Sequence, residues 1–106
     1  MDRVVLLARI KEGLSRVFGP RFRGLILYGS EARGDSRKDS DIDLLVLLSD
    51  IVHWSKDLER IIEIVYPLEA ELTGFRPIDA IPVDPATYEA QEWPLYQNVK
   101  REGIPA

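Results

Sequence analysis

The segment DIDLLVLLS, residues 41 to 49, constrains this chain more than any other. Two aspartates open it, one residue apart, and positions 44 to 48 are all apolar. A strand covered on one face alternates apolar with polar residues, whereas a continuous apolar run requires cover on both faces. Such a strand belongs in a sheet packed between layers, so the rest of the chain must supply helices and partner strands.

The remaining segments match that demand. Val4, Leu7, Ile10, Leu14 and Val17 recur near helical spacing over residues 3 to 18. Asp2 is the predicted N-cap, and Gly19-Pro20 stops this helix. GLILYG, 24 to 29, reads as a short strand between glycines, and Ser30 to Arg33 as a single helical turn. DSRKDS is a loop before the 41–49 strand. Trp54 to Leu72 reads as a long helix with Leu58, Ile61, Ile62, Val65, Leu68 and Leu72 on one side. Pro67 is expected to kink it and Gly74 to end it. FRPIDAIPV, 75 to 83, is the third predicted strand, with Pro82 marking its end or an edge position. Pro94 suits a first helical position, and Gly103 the end of that helix. The expected fold is α/β: a small mixed sheet flanked by helices, as one domain over residues 1 to 106.

The composition narrows the class. With no cysteine, disulfides and thiolate metal sites are excluded, and a reducing compartment is expected. Only five consecutive apolar residues precede Arg9, too few for a signal sequence or a membrane span, so the expected location is the cytoplasm. The net charge of −4 argues against direct nucleic-acid binding. Arg16, Arg21, Arg23, Arg33, Arg37 and Lys38 crowd the first forty residues. Charge alone favours scattered surface residues there over a polyphosphate-binding patch.

The chemistry lies at the aspartates. Residues i and i+2 of a strand project from one face, so Asp41 and Asp43 point together while Ile42 points away. Two like charges beside Leu44 and Val46 repel, and burial increases the cost. A divalent cation with a preference for oxygen ligands removes the conflict, and magnesium completes its shell with water and substrate phosphates. Two ions about 3.5 to 4 Å apart would require a third acid. Asp79, within the third strand, is the first candidate, and Asp84, beyond Pro82, the weaker one. Gly29 permits a phosphate to approach the backbone, and Ser30 adds a hydroxyl at the start of a helical turn. Arg33 adds a charge-assisted contact or pins the loop, Gly34 turns the chain back, and Arg37 and Lys38 reach for outer phosphates.

GSEARG followed by SDIDLLV resembles the signature of the minimal nucleotidyltransferases, a group of the DNA polymerase beta superfamily. The pattern Gly-Ser, ten residues, Asp-x-Asp is met by Gly29, Ser30, Asp41 and Asp43, and Arg33, Gly34 and Ser40 also match. The resemblance implies a polymerase-beta-palm-like fold and ATP held with two Mg2+ ions. It implies that Asp41, Asp43 and Asp79 bind the ions and carry catalysis, and that Asp79 helps to deprotonate an acceptor hydroxyl. Gly29 and Ser30 would hold the β- and γ-phosphates, with Arg33, Gly34 and Ser40 beside them. Stand-alone members are often antitoxins paired with a HEPN-type toxin, and resemble enzymes that transfer AMP to a tyrosine of that toxin. A partner that presents the acceptor would replace the acceptor-gripping domain of larger transferases. Two other functions stay open: an antitoxin acting by complex formation with a vestigial site, and a transferase acting on a small molecule or RNA end.

Outside this constellation the expectations are plain. His53 is read as a surface or capping residue. Trp54, Trp93, Tyr66, Tyr88 and Tyr96 are read as packing residues, with Tyr28 beneath the cradle. The tail through Ile104 and Pro105 is expected to fray or to dock on a partner.

Overall fold

The computed structural model describes all residues, 1 to 106. Helix α1 spans Arg3–Phe18, capped by Asp2, whose side chain accepts from the Val5 N–H at 3.2 Å. A 3-10 turn over Gly19–Arg21 leads into β1, Phe22–Tyr28. The short helix α2, Gly29–Arg33, follows directly, and β2 spans Ile42–Leu48. Helix α3, Trp54–Leu72, runs through Pro67 without a break, and His53 sits at its N-cap with no side-chain bond. Strand β3 covers Ile78–Val83, α4 Pro85–Ala90, α5 Pro94–Glu102 and β4 Ile104–Pro105.

The sheet order is β3-β2-β1-β4. β1 is antiparallel to β2 and to β4, while β2 and β3 run parallel. Strand β2 is therefore interior and covered on both faces, as its unbroken apolar run demands. On one face Leu25, Leu27, Ile42, Leu44, Val46 and Leu48 pack with α1 and α3 through Leu6, Ile10, Leu14, Ile61 and Val65. On the other, Ile26, Leu45 and Val83 meet Tyr88 of α4 and Val99 of α5 in a smaller core. Pro82 lies in the edge strand β3, where its missing N–H costs no ladder bond to a further strand. No helix is long and apolar enough to cross a membrane.

Several expectations are corrected. The buried stripe of α1 is Leu6, Ile10, Leu14 and Phe18, and Val4 and Val17 face outward. Leu6, Ile10, Leu14 and Phe18 stand four residues apart, one above the other on a single helix face, and Val4 and Val17 fall outside that stripe. Ile62 is likewise exposed on α3. β3 begins at Ile78, because Phe75 has a left-handed backbone, φ 69°, and ends the turn after α3. The tail neither frays nor stands free: Ile104 pairs with Leu27 and Pro105 with Ile26. Trp93 and Tyr66 are exposed and pack no core. Trp54 is half-exposed, with its indole N–H donating to the Pro82 carbonyl at 2.8 Å.

Candidate active site

The register of the sheet gathers the acidic residues. Asp43 pairs with Asp79 across the parallel β2–β3 ladder and with Tyr28 across the antiparallel β1–β2 ladder. Paired residues share a face, so Tyr28, Asp43 and Asp79 form one row across three strands. The row lies on the α4–α5 side, at the end where β1 finishes and β2 and β3 begin. Asp41 stands one residue ahead of β2 and is exposed. Of the four aspartates that the sequence nominates, the structure sets Asp79 beside Asp43, with Asp41 near enough for its charge to act on Asp43. It separates Asp84 from them: that carboxylate caps α4, accepting from the Ala86 and Thr87 N–H groups at 2.9 and 3.2 Å. Asp79 stands near the start of the edge strand β3 rather than in the middle of a strand over 75 to 83, and it is exposed.

Asp43 carries the electrostatic strain of the group. Burial raises its pKa above the ordinary aspartate value, and the charges of Asp79 and Asp41 raise it further; Arg33 opposes them. Tyr28 feels the same field. Burial first, then Asp43 and Asp79, push its phenol up to about 12. No three acidic groups close on one point as a ready-made cage. The donors are hard oxygens, and their mutual repulsion would be relieved by a cation. That arrangement fits magnesium, which takes few protein ligands and completes its shell from phosphates and water.

Gly29 ends β1 and begins α2 with φ 73°, in the left-handed region. A Cβ there would fall on Asp43 Oδ2. Glycine is therefore required twice, by the backbone and by the carboxylate against which it rests. Ser30 follows in the first turn of α2, whose N–H groups have no partners within the helix. Gly34 closes α2 in the αL conformation, φ 81° and ψ 13°, its N–H donating to the Ser30 carbonyl. Arg33 is tied to Asp35 at 3.3 Å and to Glu102 of α5 at 3.5 Å. Ser40 is occupied as a loop brace: its Oγ accepts from the Arg37 N–H at 2.8 Å.

Sequence reasoning missed Arg76. Its Nε donates to the Ser40 carbonyl at 2.9 Å and its Nη2 to Glu31 Oε2 at 3.0 Å. Both side chains of this ion pair are only 11% exposed. Ser36 and Arg76 hold the Glu31 carboxyl below the usual range. One guanidinium thus links α2, the residue before Asp41, and the entry to β3. Its partners lie 36 and 45 positions away in sequence, so no local pattern announces them. The early arginines do not assemble into a patch. Arg16 pairs with Glu12 on α1, and Arg21 forms a two-pronged pair with Asp57 of α3 at 2.7 and 3.2 Å, at the far end of the sheet.

A glycine-led turn pressed against a strained pair of facing strand aspartates defines a class, the palm-type nucleotidyltransferases. The polymerase beta nucleotidyltransferase family model matches residues 9–104, and the chain belongs to that family. Among curated proteins it is 31% identical over 64 residues to "Putative protein adenylyltransferase MJ0141" of Methanocaldococcus jannaschii. That match covers 60% of this chain and 64% of the relative, so the chain spans less than two-thirds of its length. A toxin–antitoxin crystal structure with AMP-PNP shares the fold at TM-score 0.61 and 23% identity, over 91% of this chain and 68% of that one. A nucleotidyltransferase structure from Sulfolobus solfataricus, described as putative, does so at TM-score 0.65 and 18% identity, over 96% and 77%.

Proposed function

We propose that this chain is a magnesium-dependent nucleotidyltransferase that moves AMP from ATP to a tyrosine hydroxyl of a partner HEPN-type toxin, and so acts as an antitoxin. The observation that carries the reading is the row Asp79–Asp43 with Asp41 beside it, backed by the Gly29 turn. The relative named as a protein adenylyltransferase and the toxin–antitoxin neighbour with AMP-PNP support the substrate and the partner.

Asp41, Asp43 and Asp79 would hold two Mg2+ ions, which neutralise the carboxylates and the charge that develops on the phosphate oxygens. Gly29 and the first N–H groups of α2 receive the β- and γ-phosphates, with the Ser30 hydroxyl as a further donor. Arg33 would add a charge-assisted contact beside them. The acceptor oxygen bonds to the α-phosphorus, the α-phosphorus bond to the bridging oxygen breaks, and pyrophosphate leaves. Asp79, exposed at the edge of the row, would take the acceptor's proton. Its edge position leaves the acceptor side open to a second protein.

The test is transfer of label from [α-32P]ATP to the co-expressed partner in the presence of magnesium. Label on a partner tyrosine, abolished by Asp43→Asn, is expected. Tight complex formation with no label, unaffected by Asp41→Asn, would instead favour neutralisation by binding alone.

A further inference from the structure

A cleft of about 230 Å³ opens beside Gly29, between β1, α2 and α5. Its walls are Tyr28, Leu95, Val99 and Arg33, with Asn98 and Glu102 at the rim. Larger hollows lie elsewhere. One of about 390 Å³ sits between α1 and α3, and one of about 450 Å³ beneath Tyr88; neither is lined by Asp41, Asp43 or Asp79. The small cleft shares a wall with the phosphate-receiving turn, because Gly29 belongs to both.

Its chemistry suits a flat heteroaromatic ring. Leu95, Val99 and the ring of Tyr28 give apolar surface for a base to lie against. Leu95 is 40% exposed, so part of its surface awaits a cover. The Asn98 amide is half committed: its Oδ1 accepts from Arg101, which fixes the side-chain flip and leaves Nδ2 free to donate. A donor at the rim matches the ring nitrogens of a purine, which are acceptors. The cleft is also held in place. Arg33 of α2 reaches Glu102 of α5, and β4 anchors the end of α5 to β1.

We infer that this cleft receives the nucleoside end of the nucleotide, with Leu95 as the surface beneath the base and Asn98 as the group that reads its edge. The inference rests on the nucleotidyltransferase reading above and adds a recognition site for the base to the residues that hold the phosphates. It also gives α5 a role: it is the wall that separates a nucleoside triphosphate from bare polyphosphate.

Calorimetric titration in magnesium buffer tests it with two ligands, ATP and inorganic tripolyphosphate. Leu95→Trp fills the cleft from a half-exposed position without touching either core. It is expected to weaken ATP at least tenfold and to leave tripolyphosphate unchanged. Asn98→Ala, on the exposed face of α5, is expected to weaken ATP about tenfold and to narrow the difference between ATP and UTP. ATP binding unchanged in both variants would overturn the inference. So would an equal loss of tripolyphosphate in Leu95→Trp, because the cleft would then hold phosphates. Wild-type protein that binds neither ligand would overturn the nucleotidyltransferase reading itself, and this inference with it.

Discussion

Gly29 and Gly34 form a matched pair of substitutions that separates backbone strain from damage to the site. Both residues have positive φ, 73° and 81°. Alanine at either position bears the left-handed penalty of about 1 to 2 kcal/mol. For a domain of this size each kcal/mol lowers Tm by about 4 to 8 °C. The surroundings differ. A Cβ on Gly34 meets nothing within 4 Å, whereas a Cβ on Gly29 falls on Asp43 Oδ2. Gly29→Ala must therefore also displace the central carboxylate, and a shift near 1 Å at a reacting centre costs on the order of a hundredfold in rate. Thermal unfolding followed by circular dichroism should place the two variants within a few degrees of each other. AMP transfer, corrected for the folded fraction, should fall about a hundredfold in Gly29→Ala and severalfold at most in Gly34→Ala. Equal losses of transfer in the two variants would refute the claim that Gly29 sets the position of Asp43.

Asp43→Asn should stabilise the metal-free protein at neutral pH. The folded pKa of Asp43 lies above its unfolded value, so the native state binds the proton more tightly and the charged form destabilises it. The difference from wild type should vanish below the unfolded value of about 3.9 and open as pH rises through the folded one, measured by urea unfolding across pH. Magnesium should narrow that gap by stabilising wild type alone. Arg76→Ala should lower kcat on the order of tenfold with little change in KM, because it frees Glu31, the Ser40 carbonyl and the entry to β3 together; Arg76→Lys should restore part of the loss. Arg21→Met should destabilise by about 3 kcal/mol in urea, since it strands the nearly buried Asp57, while transfer per folded molecule stays unchanged. One tyrosine of the four should resist ionisation until about pH 12 in an ultraviolet titration, and Tyr28→Phe should remove that late step.

The legible parts of this chain were those written in local pattern. The unbroken run from Leu44 to Leu48 dictated an interior strand with helices on both faces, and the sheet has β2 inside. The Gly-Ser turn and the Asp-x-Asp spacing marked one end of that sheet, and the register brings Asp79 beside Asp43. What stayed hidden depends on distant partners. Arg76 reads as an ordinary surface cation until the fold brings Glu31 and the Ser40 carbonyl to it. Ile104 and Pro105 are too short a pair to read as a strand, and only the free edge of β1 makes them one. Helix α4 is a six-residue element whose one clear signal, Asp84 before Pro85, was read as a possible metal ligand rather than as a cap. Charge counting favoured scattered surface residues over a basic patch, and the ion pairs of Arg16, Arg21 and Arg33 are spread over α1, α3 and α5.

The central claim is that the row of aspartates and the Gly29 turn hold one nucleotide together with its metal. The direct measurement is a crystal structure grown with Mn2+ and a non-hydrolysable ATP analogue, with anomalous scattering used to locate the ions. The account predicts anomalous peaks within bonding distance of Asp43 and Asp41, with phosphate oxygens completing the shell against Gly29 and Ser30. Peaks confined to other carboxylates, or a triphosphate bound away from the α2 turn, would contradict it.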